Sequence, residues 1–193
     1  EYTKAITIDP NYAPAYSGCG SVYLALGKYE SAITDYSKAI TIDPNYAPAY
    51  SGRGPVYLAF KQYDLAVADY SVLIKMDPNK KEYYERRGSA YLVLKQYESA
   101  ISDYSVLIKM DPNKKEYYER RGSAYLVLKQ YESAISDYSV LIKMDPKNKE
   151  YYDNRGTAYL ALKQYDLAIA DYDKAIKLNR SICQRIMVAD QPI

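Results

Sequence analysis

Apolar positions along the chain follow the period of an α-helix, in two separate stretches that recur with a 34-residue period. In the first stretch Tyr84, Gly88 and Tyr91 stand at positions i, i+4 and i+7. In the second, an apolar stripe of the same spacing runs from Ala100 to Ile108. Side chains at this spacing share one face of a helix, so each stripe predicts an amphipathic helix with one buried face.

Short polar segments separate these helices and predict where each one ends. Residues 95–97 form a brief turn between the two stripes. Asp111 precedes a proline, which disfavours helical backbone in the residue before it, so the second helix ends there. Asn79 stands at the position of an N-cap with Glu82 three residues later, which predicts a capping box for the next helix. Each repeated segment therefore reads as helix, turn, helix.

One proline conflicts with this pattern. Pro55 falls in the interior of a first helix, where it removes the hydrogen bond to the Ser51 carbonyl and costs about 3 kcal/mol. Pro55 either produces a functional kink or is a tolerated residue without a functional role, and we favour the second interpretation.

The period is strict over most of the chain. Residues 69–112 and 103–146 are identical in sequence. Asp-Pro dipeptides recur at one constant step, beginning at Asp9, Asp43, Asp77, Asp111 and Asp145. Self-similarity of this kind is the signature of a repeat protein, in which neighbouring units stack to bury faces that one unit alone leaves exposed.

The repeated residues resemble the tetratricopeptide repeat signature. The matching positions are Tyr84-x-x-Arg87-Gly88-x-x-Tyr91, Ala100-x-x-x-Tyr104 and Pro112, with tyrosine in place of the usual tryptophan. The resemblance implies five units at 13–46, 47–80, 81–114, 115–148 and 149–180, with a half unit at 1–12. Residues 181–193 form a cap or a tail, in which Ile182, Ile186 and Met187 supply apolar side chains, and the whole of 1–193 is expected to be one domain.

The same resemblance implies an all-α fold, an α-solenoid in which antiparallel helix pairs form a right-handed superhelix. The first helices would line a concave groove that holds extended or helical peptides. The chain is accordingly expected to be a protein–protein interaction scaffold.

The expected groove lies on the face of the first helices opposite the tyrosine–glycine stripe. Its candidate residues are Leu58, Glu82, Glu85, Arg86, Ser89, Leu92, Glu116, Glu119, Arg120, Ser123, Leu126, Glu150, Asp153, Asn154, Thr157 and Leu160. The C-terminal half of this surface is acidic, which predicts a partner peptide with basic side chains and periodic apolar anchors. The alternative is that these charges form an ordinary solvated helix face.

Arginine replaces an apolar residue before the glycine in four units, at Arg53, Arg87, Arg121 and Arg155. An aspartate follows each of them at the same separation along the chain, as Asp103 follows Arg87. Because an unpaired buried charge is very costly, we expect Arg87 to pair with Asp103, and the other units to do the same. The alternative is an arginine whose stem packs while its head reaches water. The first unit has Cys19 at this position, which leaves Asp35 without an arginine.

Composition excludes several classes of function. The chain contains no histidine, no nucleophile–base set and no glycine-rich phosphate loop, so neither an enzyme nor a cofactor is expected. Cys19 and Cys183 form no metal-ligand pattern and no disulfide framework. The net charge of +2 and the glutamates among the basic residues disfavour nucleic-acid binding. No apolar run approaches the roughly 20 residues of a membrane span, and no signal segment is present, so a cytoplasmic location is expected.

Self-assembly is the alternative function. Nearly identical units make the two ends of the chain chemically compatible, and a head-to-tail contact can propagate into a filament. Ile6 and Ile8 near one end and the apolar residues at the other motivate this hypothesis. The chain opens inside a second helix, which is expected either of a fragment or of a half unit that pairs with another chain.

Overall fold

The computed structural model of the protein describes residues 1–189, and the side chains of residues 1–179. The described residues form α-helices joined by short turns, with no strand among them. The helices are α1 (Tyr2–Ile8), α2 (Ala13–Ala25), α3 (Tyr29–Ile42), α4 (Ala47–Ala59), α5 (Tyr63–Met76), α6 (Lys81–Val93), α7 (Tyr97–Met110), α8 (Lys115–Val127), α9 (Tyr131–Met144), α10 (Lys149–Ala161) and α11 (Tyr165–Ala189). The prediction of an all-α fold is confirmed. No helix of the described part of the chain has the length and apolarity needed to cross a bilayer.

The chain divides into two compact units. The first runs from Glu1 to Gln96 and contains α1 to α6, and the second begins at Tyr97 and contains α7 to α11. Within each unit, every helix packs against the next one along the chain, as expected of stacked helix pairs joined by tight turns. The single domain and the repeat boundaries stay predictions. The cap or tail expected from Ile182, Ile186 and Met187 lies outside the described side chains, as does Cys183.

A left-handed residue closes each first helix. After α8, Lys129 has a φ of 59°, and the Gln130 N–H donates to the Tyr125 carbonyl at 2.8 Å. This is a Schellman motif, which satisfies carbonyls at the end of a helix and usually places glycine at the left-handed position. Glycine stands there only once among the described turns, at Gly27 with a φ of 71°, and lysine fills the other four. A turn follows α6 as predicted, but it lies at residues 94–96 and not at 95–97, because Tyr97 already opens α7.

The capping box predicted at Asn79 is wrong. The N-cap of α6 is Lys80, which makes no side-chain cap. Asn79 instead donates its backbone N–H to the Asp77 carboxylate at 3.2 Å, inside the turn that follows the second helix. Before α10 the asparagine and the lysine stand in the reverse order, as Lys147 and Asn148. Asn148 therefore caps α10, and its side chain accepts a hydrogen bond from the Glu150 N–H at 3.0 Å. The turn is one residue longer than the pattern suggested.

Tyrosine builds the core of both units. The second-helix tyrosine Tyr138 is almost fully buried and lies over Gly122, where an added Cβ would stand 3.3 Å from its ring. The glycine therefore allows the two helices of a repeat to approach closely. The first tyrosine of each Tyr-Tyr pair is buried as well: Tyr117 packs against Tyr104 with ring centroids 6.4 Å apart. The sequence pattern assigned only the second tyrosine of the pair to the core.

Candidate functional site

The predicted groove residues all lie on the first helices, and none of them is buried. The exposed ones are Glu82, Arg86, Ser89, Glu116, Arg120, Ser123, Glu150, Thr157 and Leu160. The half-buried ones are Leu58, Glu85, Leu92, Glu119, Leu126, Asp153 and Asn154. We call these sixteen residues the first-helix surface, of which Leu58 to Leu92 belong to the first unit and Glu116 to Leu160 to the second.

The apolar side chains on the first helices differ in the fraction of each side chain that is exposed to solvent. Leu58 and Leu126 are half-buried and pack against the cores of their own units. Leu160 is 48% exposed, and Val127, which stands next to Leu126 in the pattern, is 55% exposed. The valine is thus a larger exposed apolar contact than the leucine beside it. Adjacent residues of a helix project about 100° apart, so Leu126 reaches the core while Val127 points away from it.

Acidic residues of the surface already have partners inside the protein: Glu82 lies 3.8 Å from Arg86 in an exposed ion pair, and Glu119 contacts a tyrosine. The Tyr151 hydroxyl of α10 donates a hydrogen bond to the Glu119 carboxylate of α8. Burial raises the pKa of Tyr151, and the bond to the Glu119 carboxylate raises it further. Glu119 therefore connects two successive first helices, and a change at this residue affects packing as well as surface charge. Nothing in the sequence pattern separated it from Glu116.

The hydroxyl residues of the surface bond to tyrosines of the second helices. Ser123 lies 3.2 Å from the Tyr138 hydroxyl, and Thr157 lies 3.3 Å from the Tyr172 hydroxyl. Pro55 stands at the corresponding position of the second repeat and has no hydroxyl to offer Tyr70. Burial raises the pKa of Tyr70 to about 12. The first-helix surface and the tyrosine core are thus linked by hydrogen bonds.

The predicted arginine–aspartate pairs are present in three repeats. The Arg121 guanidinium donates two hydrogen bonds to the Asp137 carboxylate, at 2.9 Å from Nε and 2.7 Å from Nη2. Its Nη1 donates to the Ser105 hydroxyl of the preceding second helix at 2.9 Å. Arg53 and Arg155 make the same three contacts with their own aspartates and serines. The pairing of Arg87 with Asp103 joins residues of different units and stays a prediction.

Tyrosine rings complete the surroundings of each guanidinium. The Cζ atom of Arg121 lies 5.9 Å from the ring centroid of Tyr118 and 5.7 Å from that of Tyr125. These distances suit cation–π contacts, which gain strength as a site loses water. Burial raises the pKa of the Asp137 carboxyl, and the hydrogen bonds and charge of Arg121 lower it, burial being the larger effect. The sequence predicted the ion pair but not the serine and the two rings around it.

Models of the tetratricopeptide repeat match the chain in several segments. One matches residues 51–115 and 96–149, and another matches residues 154–182. A model described as a TPR repeat matches residues 20–60. Together these segments cover most of the chain. A search of curated proteins finds no match.

Solved structures of repeat proteins share the fold at low sequence identity. YrrB, described as a TPR protein with an unusual peptide-binding site, is 21% identical with a TM-score of 0.75, over 99% of this chain and 98% of that one. A structure of the MamA protein is 21% identical with a TM-score of 0.74, over 94% and 97% of the two chains. A MamA structure from Desulfovibrio magneticus RS-1 is 22% identical with a TM-score of 0.67, over 88% and 96%. At these identities the likeness establishes the fold.

Proposed function

Because the chain belongs to the tetratricopeptide repeat family, a family of non-catalytic interaction scaffolds, we propose that it binds a segment of a partner protein on its first-helix surface. The proposed role is binding alone, with no catalytic step. The described peptide-binding site of the structural neighbour YrrB supports a role of this kind for the shared fold.

The observation that carries the proposal is the set of exposed carboxylates in α8 and α10. Glu116 and Glu150 are exposed, and among the described residues neither side chain forms a hydrogen bond or an ion pair. Exposed carboxylates attract cationic side chains without the cost of breaking an internal contact. The exposed Val127 of α8 adds an apolar contact. This combination favours a basic segment with interspersed aliphatic residues.

Helix chemistry offers a competing reason for the same carboxylates. Glu116 and Glu150 fall in the first turns of α8 and α10, where a negative charge interacts favourably with the helix dipole. Glu132 and Asp166 have the same position in the second helices α9 and α11 and are also exposed. The second-helix pair therefore provides a matched control, because reversing its charge costs the same helix stabilisation.

The test compares two double variants in the binding of a labelled peptide of alternating lysine and leucine. We expect Glu116→Lys with Glu150→Lys to weaken binding at least tenfold, and Glu132→Lys with Asp166→Lys to leave it close to wild type. Fluorescence anisotropy at moderate salt measures both. Equal affinities in the two variants, or no binding to the wild type, would count against the proposal.

Self-association is the second candidate, because exposed apolar side chains of α11 occupy positions that pack against the core in α9. Ile169 and Ile176 of α11 are exposed, whereas the corresponding Ile135 and Ile142 of α9 pack into the core of the second unit. A second copy stacked on α11 would cover these side chains. Light scattering coupled to size exclusion across a concentration series tests this. We expect the mass to grow with concentration and Ile176→Lys to suppress the growth; a constant monomer mass would exclude assembly.

A further inference from the structure

One buried tyrosine of the first unit lacks the hydroxyl partner that the corresponding tyrosine has one repeat earlier. The Tyr36 hydroxyl lies 3.1 Å from the Ser21 hydroxyl. Because Ser21 donates its own proton to the Ser17 carbonyl at 3.0 Å, the bond between the two hydroxyls is donated by Tyr36. In the next repeat Pro55 stands at the serine position and has no side-chain oxygen that could accept from the corresponding Tyr70.

The Tyr70 hydroxyl approaches α4 and is open to solvent. Its ring lies over Gly54, where an added Cβ would stand 3.4 Å from the hydroxyl oxygen. Tyr70 is only 2% exposed, and its hydroxyl forms no hydrogen bond among the described residues. Within the same part of the chain, every side-chain oxygen that is closed off from solvent has a hydrogen-bond partner. The small exposed part of Tyr70 therefore includes its hydroxyl oxygen.

The surroundings of this hydroxyl make it a donor to a neutral group. Burial raises the pKa of Tyr70 to about 12, so the phenol is protonated at neutral pH. The charge of Arg86 lowers this pKa and that of Glu82 raises it, so two residues of the first-helix surface act on the hydroxyl. Arg86 and Glu82 themselves form an exposed ion pair. Beside two opposite charges a neutral acceptor is favoured, because it also costs less to remove from water than a carboxylate does.

We propose that the Tyr70 hydroxyl donates a hydrogen bond to a backbone carbonyl of the partner segment, an inference that rests on the proposed binding of such a segment to the first-helix surface. A segment that covered this hydroxyl without an acceptor would leave a buried donor unsatisfied, which costs more than one hydrogen bond gains. An extended segment has free backbone carbonyls, whereas in a helix they already accept from N–H groups of the same segment. The partner segment is therefore extended where it passes Tyr70.

The test measures the fluorescence anisotropy of the labelled lysine–leucine peptide with two matched tyrosine variants. Tyr70→Phe keeps the ring and removes the hydroxyl, so it should weaken binding about fivefold, the effect of one neutral hydrogen bond. Tyr138→Phe removes a hydroxyl that already bonds to Ser123 at 3.2 Å, and it should bind the peptide as the wild type does. Wild-type affinity in Tyr70→Phe would overturn the proposal.

Two substitutions of Pro55 separate the role of the hydroxyl from the repair of the helix. Pro55→Ser supplies a hydroxyl that accepts from Tyr70 within the chain, so peptide binding should weaken about fivefold. Pro55→Ala restores the same helical N–H without a hydroxyl and should keep the wild-type affinity. Circular dichroism checks that both variants are folded. Equal affinities of Pro55→Ser and Pro55→Ala would contradict the proposal.

Ester substitution in the peptide identifies the acceptor. Each backbone amide is replaced by an ester in turn, because an ester carbonyl is a weaker acceptor than an amide carbonyl. At one or more positions we expect the ester to weaken binding to the wild type but not to Tyr70→Phe. A loss of the same size in both proteins at every position would exclude a backbone carbonyl as the ligand.

The outcomes distinguish this inference from the proposed function. If Glu116→Lys with Glu150→Lys weakens peptide binding and Tyr70→Phe does not, the acidic surface is supported and the Tyr70 contact is overturned. If Tyr70→Phe weakens binding and the charge reversal does not, the Tyr70 contact is supported and the role of the carboxylates is overturned. Absence of peptide binding by the wild-type protein would overturn both.

Discussion

At the scale of single residues, the unusual feature is a charged pair held among aromatic rings. The Asp137 side chain is only 3% exposed and that of Arg121 is 18% exposed. A pair of this kind is weak evidence for net stability, because removing two charges from water costs several kcal/mol per ion. The loss of one partner lowers the stability of the fold clearly, because the remaining charge then stays buried without an opposite charge beside it.

Replacement of Arg121 by methionine tests whether the pair or the packed stem matters more. We expect Arg121→Met to lower the free energy of unfolding by about 3 kcal/mol, because Asp137 loses its cation. Urea unfolding followed by circular dichroism measures the change. The neighbouring Arg120 is exposed, so Arg120→Met should alter stability by less than about 0.5 kcal/mol. An unchanged unfolding free energy in Arg121→Met would favour an arginine whose head simply reaches water.

At the scale of helices and turns, the repeats tolerate two local violations of helix chemistry. Four lysines adopt the left-handed conformation that normally favours glycine. Helix α4 continues from Ala47 to Ala59 although Pro55 lies inside it. Both features survive because the surrounding helix pairs supply enough buried contact to hold the backbone in place. Pro14 and Pro48, in contrast, occupy the first turns of α2 and α4, where proline fits the backbone.

Replacement of the interior proline Pro55 is expected to stabilise the protein. We expect Pro55→Ser to raise the free energy of unfolding by up to about 3 kcal/mol, because the helix regains its bond to the Ser51 carbonyl. The new hydroxyl would also face Tyr70, as Ser123 faces Tyr138. Thermal and urea unfolding measure the gain. Ser123→Pro makes the reverse change in the fourth repeat and should destabilise by a similar amount. A loss of stability in Pro55→Ser would show that the kink is required.

At the scale of the whole molecule, tyrosine supplies the large aromatic side chains of the core, beside alanine and aliphatic residues. The chain has 26 tyrosines and one phenylalanine. Tyrosine hydroxyls form hydrogen bonds with serine, threonine or glutamate side chains of the first helices. A core built in this way carries many ionisable groups, so its stability depends on alkaline pH more than that of an aliphatic core.

Alkaline unfolding tests this dependence. The pKa of Tyr70 is raised to about 12, and burial also raises that of Tyr138. A raised pKa in the folded state means that the neutral phenol favours folding below pH 10 and that this contribution is lost as the pH rises further. We expect Tyr70 alone to cost about 1 kcal/mol of stability by pH 11.

Urea unfolding at pH 8 and pH 11 measures that loss, and absorbance at 295 nm follows the ionisation. Tyr70→Phe should reduce the difference between the two pH values, whereas replacing the exposed Tyr165 by phenylalanine should not. Simultaneous titration of all tyrosines near pH 10 without loss of stability would contradict the expectation.

The sequence by itself determined the helices, their pairing in repeats and the partner of each arginine that the structure describes in full. A constant repeat period, two helical stripes per period and a fixed separation between arginine and aspartate are all properties of spacing along one chain. Only the tertiary structure determined which hydrogen bonds and contacts join one repeat to the next. The bond between Tyr151 and Glu119 and the serine beside each guanidinium depend on distances between residues that no helical period relates. Periodicity specifies which face of a helix is buried, whereas the packing of that face against the next repeat specifies which atoms meet.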